Sequence, residues 1–187
     1  YRAPMMSLVP SVAWAVPLIA EAGFTYSSSV LPGPSPLFGW PGLPRQPFQW
    51  THGPIEFPCP LVRVPGFALP YLGGTYLRLL PNVVRRYGLS RSGSDEALWA
   101  YCHPWEFDTE EPFHLHEHIG MLASRIAWLG RSRMERQVRR LLNDPVAEPL
   151  GELALHLPDD GTALPFVDPT TPPTIGSAHW ADGRLRN

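Results

Sequence analysis

Two segments carry the side chains best suited to catalysis. His103 follows the mostly apolar residues 96–102, and an imidazole at the end of a buried strand suits general acid or base work. Trp105 offers an aromatic face on which a sugar ring could stack, and Arg2 can orient a carboxylate through two hydrogen bonds. Spacing alone still favours the plainer interpretations, in which His103 is a structural histidine and Arg2 an ordinary surface residue.

A second group of histidines, His114, His116 and His118, alternates along the sequence. If this segment is extended, the three rings share one face and could bind a metal ion. Glu117 would point away from the rings and could not complete the site. A polar loop is therefore the favoured interpretation of this segment.

Several nucleophilic mechanisms do not fit the sequence. The serines at 27–29 lack a Gly-x-Ser-x-Gly turn. Cys102 and His103 are neighbours, so on a strand their side chains would point to opposite faces and could not form a nucleophile–base pair. All 15 basic residues are arginine, which excludes a Schiff-base lysine and the lysine of a Walker-type phosphate loop.

The composition indicates one globular domain with or without a tail. The chain has 187 residues, of which 44% are hydrophobic and 17% charged, enough apolar material for a core and too little charge for a disordered protein. A net charge of −2 provides no basic field for a nucleic-acid backbone, so we expect no nucleic-acid partner. Two cysteines are too few for a disulfide-rich scaffold or a four-thiolate zinc site.

The hydrophobic pattern predicts an α/β fold that would position these side chains. Helices are expected at residues 11–22, ended by Gly23, and at 119–142, broken near Gly130. Strands are expected at residues 24–30 and 96–102, and an extended edge segment at 55–64. The most apolar window, residues 8–22, is shorter than the roughly 20 residues that a membrane-spanning helix needs, so a buried helix is favoured there.

Two further stretches are rich in proline and glycine. Residues 31–54 also contain several large aromatic side chains, among them Phe38, Trp40, Phe48 and Trp50, so we expect an ordered and functional loop. Residues 151–187 are expected to form a mostly flexible tail, with 150–156 able to pack.

Six motifs occur in one order along the chain: YRAP, GFTYSSSVLP, IEFP, LGGTYLRLLP, HPWEFD, and WLGR followed by a basic helix. Together they resemble the C-terminal half of bacterial polysaccharide deacetylases of the NodB-homology type, in the branch associated with exopolysaccharide loci and exosortase systems. The resemblance covers about residues 1–150. It implies the C-terminal part of a distorted (β/α) barrel, followed by the tail.

The resemblance also implies an activity, namely hydrolysis of N-acetyl groups from the amino sugars of a bacterial polysaccharide with one divalent metal, typically zinc. In that family the metal ligands and the aspartate base precede the segment that matches Tyr1. The chain is therefore expected to be a fragment that is inactive alone. Arg2 matches the arginine that tethers the base, Met5 the residue whose backbone N–H binds the oxyanion, and His103 the general acid.

Two positions depart from the family pattern. The family usually has Tyr-Asp-Ser-Ser where this chain has Ser27, and that aspartate holds the acid histidine. Because Ser27 carries no charge, we expect His103 to be less protonated at neutral pH. Met5 stands where a serine commonly follows the Arg-Ala-Pro segment, a change that keeps the backbone N–H but loses a side-chain contact.

Two competing hypotheses remain at the level of sequence. The chain could be a non-catalytic glycan-binding module, gripping its ligand with Trp40, Phe48, Trp50 and Trp105. Alternatively, it could be half of a barrel that cannot fold alone, because an open sheet edge invites aggregation.

Overall fold

The helices and strands of this chain are short because proline and glycine interrupt its apolar runs. The structure, a computed structural model, describes residues 1–35, 38–64, 67–143, 148–157 and 163–171. Its α-helices are α1 (Ala15–Glu21), α2 (Gly74–Leu79), α3 (Asn82–Arg91), α4 (Gly120–Trp128), α5 (Met134–Leu142) and α6 (Leu150–His156). Its strands are β1 (Tyr26–Ser27), β2 (Phe48–Trp50), β3 (Ile55–Glu56), β4 (Val62–Val64), β5 (Phe67–Leu69) and β6 (Phe166–Val167). The predicted α/β class is confirmed.

Four of the strands form one mixed sheet in the order β1-β3-β2-β6. Strand β3 lies parallel to β1 and antiparallel to β2, and β6 lies parallel to β2. The register pairs Ser27 with Glu56, so these two side chains share one face of the sheet. The expected edge position of residues 55–64 is wrong for β3, which is internal because its prolines, Pro58 and Pro60, follow the end of the strand.

Glycine and proline define the helix ends largely as expected. Gly23 follows α1 with a φ of +87°, and Gly130 separates α4 from α5 with a φ of +78°. Helix α1 begins at Ala15, later than predicted, and Pro17 falls in its first turn, where a backbone N–H has no helical partner. No helix in the described parts of the chain is long and apolar enough to cross a membrane.

Two other expectations from the pattern differ from the structure. Of residues 96–102, Tyr101 forms one parallel bridge, to Gly73, and the others have no strand pairing within the described parts of the chain, because α2 begins at the next residue, Gly74, and ends the partner segment. Strand β6 falls within the stretch expected to be flexible. The Gln49 N–H donates to the Pro165 carbonyl at 2.9 Å, which pairs that strand with β2.

Three of the large aromatic side chains expected in a functional loop at residues 31–54 lie in the core. Trp40, Phe48 and Trp50 are 2%, 0% and 0% exposed and pack around Val16 and Leu43. The Trp40 and Trp50 rings are 5.2 Å apart, and the Phe48 and Trp50 rings 4.8 Å apart. These side chains supply apolar burial for folding and offer no surface to a ligand.

Candidate functional site

Four rings lie in a row from Trp99 to Trp105, each next to the following one, and the last ring belongs to the 3₁₀ turn Pro104–Glu106. The ring centroids of Trp99 and Tyr101 are 5.7 Å apart, those of Tyr101 and His103 are 5.8 Å apart, and those of His103 and Trp105 are 4.1 Å apart. We call Trp99, Tyr101, His103 and Trp105 the aromatic row. The Arg2 guanidinium lies 4.3 Å from the Trp99 ring centroid in a cation–π contact. The aromatic row therefore links three of the predicted site residues, Arg2, His103 and Trp105.

The aromatic row runs from the core to the surface. Trp99 is buried, and its indole N–H donates to the Pro58 carbonyl at 3.0 Å. At the other end the His103 side chain is 42% exposed and Trp105 is 52% exposed, with the two rings stacked at an angle of 19°. A ligand can therefore reach His103 and Trp105 while the buried Trp99 ring holds the segment in place.

The 3₁₀ turn Pro104–Glu106 brings a carboxylate back onto His103. Glu106 Oε2 accepts the His103 backbone N–H at 2.9 Å and lies 3.1 Å from His103 Nδ1. This is a capping box, with proline at the first helical position and glutamate at the third. Glu106 was not among the residues predicted for the site, although its position three residues after His103 is the spacing of a capping box.

Glu106 is fully buried and has a buried cation as its second partner. Arg78 Nε lies 3.1 Å from Glu106 Oε1, and both side chains are almost inaccessible to solvent. The other Arg78 nitrogens donate to the C-terminal carbonyls of α4, at Ala127 (2.8 Å), Ile126 (3.3 Å) and Leu129. A cation at a helix C-terminus satisfies free carbonyls and opposes their partial negative charge.

Two glycines at the start of α2 make room for this arrangement. A Cβ on Gly73 would lie 2.1 Å from the Tyr101 ring, and one on Gly74 would lie 3.2 Å from both carboxylate oxygens of Glu106. Gly74 also has a φ of +32° and donates its N–H to the Tyr101 carbonyl at 2.8 Å. The LGGTY motif thus has a steric reason for both glycines.

The serine run positions the segment that carries Arg2. Ser28 Oγ accepts the Arg2 Nε–H at 2.8 Å, and Ser29 Oγ accepts the Ala3 N–H at 2.9 Å. Beyond these contacts the chain turns at Met5, which is 69% exposed and has a φ of +56°. A residue other than glycine rarely adopts this left-handed conformation, and such backbone strain is concentrated at functional sites.

The buried Ser27 side chain takes part in a different hydrogen-bond network, on the face of the sheet that it shares with Glu56. Its hydroxyl is 2.8 Å from Ser29 Oγ and also bonds to Glu56, its partner across the sheet. The carboxylate beside His103 therefore comes from Glu106 of the 3₁₀ turn and not from the sheet position of Ser27. Lower protonation of His103 at neutral pH stays a prediction.

Glu56 is a second fully buried carboxylate, held by neutral donors. It accepts N–H bonds from Ser29 (2.5 Å), Val30 (3.1 Å) and the Trp50 indole (3.2 Å). Burial raises the pKa of Glu56 above its ordinary value, because these hydrogen bonds only partly replace the lost water. Glu56 thus ties β3 to the serine run and, through it, to the Arg2 segment.

The remaining candidates do not form a site. His114, His116 and His118 are exposed, and in the described parts of the chain no group of three or more His, Cys, Asp or Glu side chains could hold a metal ion. The three histidines therefore do not form the metal site that their alternation allowed. Burial raises the pKa of Cys102, and that of Cys59 to about 12, which disfavours the reactive thiolates.

A family model described as "Domain of unknown function (DUF3473)" matches residues 28–153, about two thirds of the chain. The chain belongs to this family. No curated protein and no solved structure matches the chain. The DUF3473 range contains the exposed end of the aromatic row together with Glu106 and Arg78, whereas Arg2, Met5 and Ser27 precede it.

Proposed function

We propose that this DUF3473 chain is the C-terminal part of a bacterial polysaccharide deacetylase of the NodB-homology type. It would contribute the C-terminal part of a distorted (β/α) barrel, and the complete protein would remove N-acetyl groups from the amino sugars of a polysaccharide. The divalent metal, expected to be zinc, would be held by residues outside this sequence. Two observations support this proposal: the six sequence motifs in their order along the chain, and the contacts of His103.

The single observation that carries the proposal is the setting of His103. Amide hydrolysis expels an amine, a poor leaving group that must receive a proton as the C–N bond breaks. The His103 side chain is 42% exposed, and its Nδ1 lies 3.1 Å from Glu106 Oε2, so a hydrogen bond to that carboxylate would orient the ring. A protonated His103 could therefore donate its Nε2 proton to the departing nitrogen.

Arg2 and Met5 would serve the same reaction from the neighbouring segment. Arg2 is anchored by Ser28 and Trp99, and among the described residues no carboxylate pairs with it, which leaves it able to orient one from another part of the protein. The left-handed backbone at Met5 would aim its N–H at the oxyanion of the tetrahedral intermediate. Trp105 would stack on a sugar ring of the substrate.

The test is acetate release from N-acetylated amino-sugar oligomers by the complete protein, comparing wild type with His103→Ala. We expect the substitution to lower kcat by about 10²- to 10⁴-fold, the usual contribution of general acid catalysis. His114→Ala is the matched control, because His114 is an exposed histidine later in the same chain, and it should leave kcat unchanged. A wild-type kcat in His103→Ala would show that His103 is not the general acid. If the sequence upstream of Tyr1 contains no metal ligands, the proposed deacetylase activity is wrong.

A non-catalytic glycan-binding module is the second candidate, and the exposure of Trp105 favours it. The other aromatic residues first considered for this role, Trp40, Phe48 and Trp50, are buried and cannot contact a glycan. This candidate therefore predicts that amino-sugar oligomers change the tryptophan fluorescence of wild type and not of Trp105→Ala, without turnover. Unchanged fluorescence with every oligomer would argue against it.

A further inference from the structure

We propose that Glu106, fixed by Arg78, is the positioning residue of His103: it holds the Nδ1–H of the imidazole so that Nε2 faces the substrate. This inference rests on the proposed function for its catalytic consequence, and on the geometry of these three side chains for its structural content. It assigns to Glu106 the part that the resemblance gives to an aspartate at the position of Ser27.

The Glu106 carboxylate contacts two different parts of the chain, His103 and Arg78. Oε2 of Glu106 faces both the backbone N–H and Nδ1 of His103, while Oε1 faces Arg78 Nε. Rotating the carboxylate would break all three contacts at once. Because Glu106 is only 1% exposed, water cannot replace those contacts.

The contact between Glu106 and Nδ1 also determines the tautomer of His103. A carboxylate accepts hydrogen bonds and donates none, so Nδ1 must carry a proton to bond with Glu106. When the ring is neutral, Nε2 is then left unprotonated; when the ring is protonated, Nε2–H can be donated outward. His103 is thereby prepared to carry a proton on Nε2 and release it there.

Arg78 and Glu106, which hold His103, are themselves fixed by several contacts. Arg78 is itself held by the C-terminal carbonyls of α4 and by Thr75 Oγ1 at 3.3 Å, so the ion pair is anchored to two helices. On its other side the His103 ring lies 4.1 Å from the Trp105 ring in a stacked arrangement. The imidazole is therefore held at one edge and one face, which leaves the Nε2 edge for the substrate.

The decisive measurement is the tautomer of His103, read from ¹⁵N chemical shifts and long-range couplings in the complete protein. Spectra would be taken at about pH 9, well above the ordinary histidine value of about 6.5, and His103→Asn would identify the resonance. We expect the neutral ring to carry its proton on Nδ1. This measurement needs no substitution at Glu106, and a ring protonated on Nε2 would overturn the proposal.

The substitution Glu106→Gln adds a functional readout in the complete protein. The amide keeps the shape but cannot accept with both atoms, so we expect kcat to fall by about 10- to 100-fold with little change in KM, as for other residues that orient a functional histidine. Glu135→Gln is the matched control, because Glu135 pairs with Arg139 at the surface and should leave kcat unchanged.

The two failures are distinguishable. If His103→Ala abolishes acetate release while Glu106→Gln leaves kcat and the tautomer unchanged, the positioning role is wrong and the proposed function stands. If the tautomer is Nδ1–H but His103→Ala is fully active, Glu106 orients the ring as described and the catalytic assignment fails.

Discussion

The protein buries two glutamates in different chemical surroundings. Glu106 lies against a guanidinium, 3.1 Å from Arg78 Nε, and contacts a half-exposed histidine. Glu56 is held by neutral groups, namely the N–H groups of Ser29, Val30 and Trp50 and the Ser27 hydroxyl. Both are essentially inaccessible to water, so the difference lies in their partners and not in their burial.

The different partners indicate different roles for the two carboxylates: Glu106 can orient a neighbouring side chain, whereas Glu56 links neighbouring strands. A buried carboxylate beside a guanidinium has a countercharge and can orient a neighbouring imidazole through a hydrogen bond. A buried carboxylate with neutral donors is more easily protonated, and burial accordingly raises the pKa of Glu56. Glu56 is therefore suited to linking strands, and Glu106 to holding His103.

The largest effect should follow from removing the cation with Arg78→Met. The substitution leaves Glu106 buried without its countercharge and frees the C-terminal carbonyls of α4. Breaking a buried ion pair from one side costs about 3–5 kcal/mol of unfolding free energy. Urea denaturation followed by far-UV circular dichroism measures this loss directly.

The surface pair of Arg139 and Glu135 provides the control for Arg78→Met. Both of its side chains are about three-quarters exposed, so Arg139→Met should change the unfolding free energy little or not at all. Equal destabilisation by both substitutions would mean that burial of the Glu106–Arg78 pair has no special energetic role.

A smaller effect is expected from Ser27→Asp, which restores the residue usual in the resembled family. In this structure the new carboxylate would face Glu56 in the sheet, where two like charges repel and the extra atoms must be packed. We expect a loss of about 2–3 kcal/mol in unfolding free energy and no gain in acetate release by the complete protein.

Ser27→Asn separates the two causes, because it adds nearly the same volume without charge. Ser27→Asp should be the less stable of the two at neutral pH, and the gap should narrow in acid as Glu56 takes up a proton. A stable Ser27→Asp variant with raised kcat would show that the side chain at position 27 reaches His103. The assignment of different roles to Glu56 and Glu106 would then be wrong.

Local sequence patterns predicted the parts of the fold that depend on local chemistry. The α/β class, the break at Gly130 and the end of α1 at Gly23 follow from helical periodicity and from the freedom of glycine. His103 was a candidate because of its residue type and the apolar run before it. These features need no knowledge of distant contacts.

The remaining features depend on residues far apart in the chain. Arg78 and Glu106 meet because α2 and the turn after His103 pack together, and no spacing in the sequence reports that meeting. Strand β6 exists through pairing with β2, more than a hundred residues earlier, although its own segment is rich in proline. The rings of Trp40 and Trp50 suggested a binding loop because sequence alone does not tell an exposed aromatic residue from a buried one.

The smallest and most specific prediction concerns the pH dependence of Glu56. Its pKa is raised in the folded state above the ordinary value of about 4.5, so the folded protein holds this proton more tightly than the unfolded chain. The stabilisation is present below about pH 4.5 and is lost as the pH rises through the folded value, with a slope of at most about 1.4 kcal/mol per pH unit. Glu56→Gln cannot titrate and should lack this slope.

The measurement is the unfolding free energy of wild type and Glu56→Gln at several pH values from 4.5 to neutral. The stability of Glu56→Gln relative to wild type should rise with pH, whatever its value at the starting point. Glu135→Gln should run parallel to wild type, because Glu135 is exposed. A constant difference between Glu56→Gln and wild type would show that neutral donors hold this carboxylate as well as Arg78 holds Glu106, and the contrast between the two glutamates would not hold.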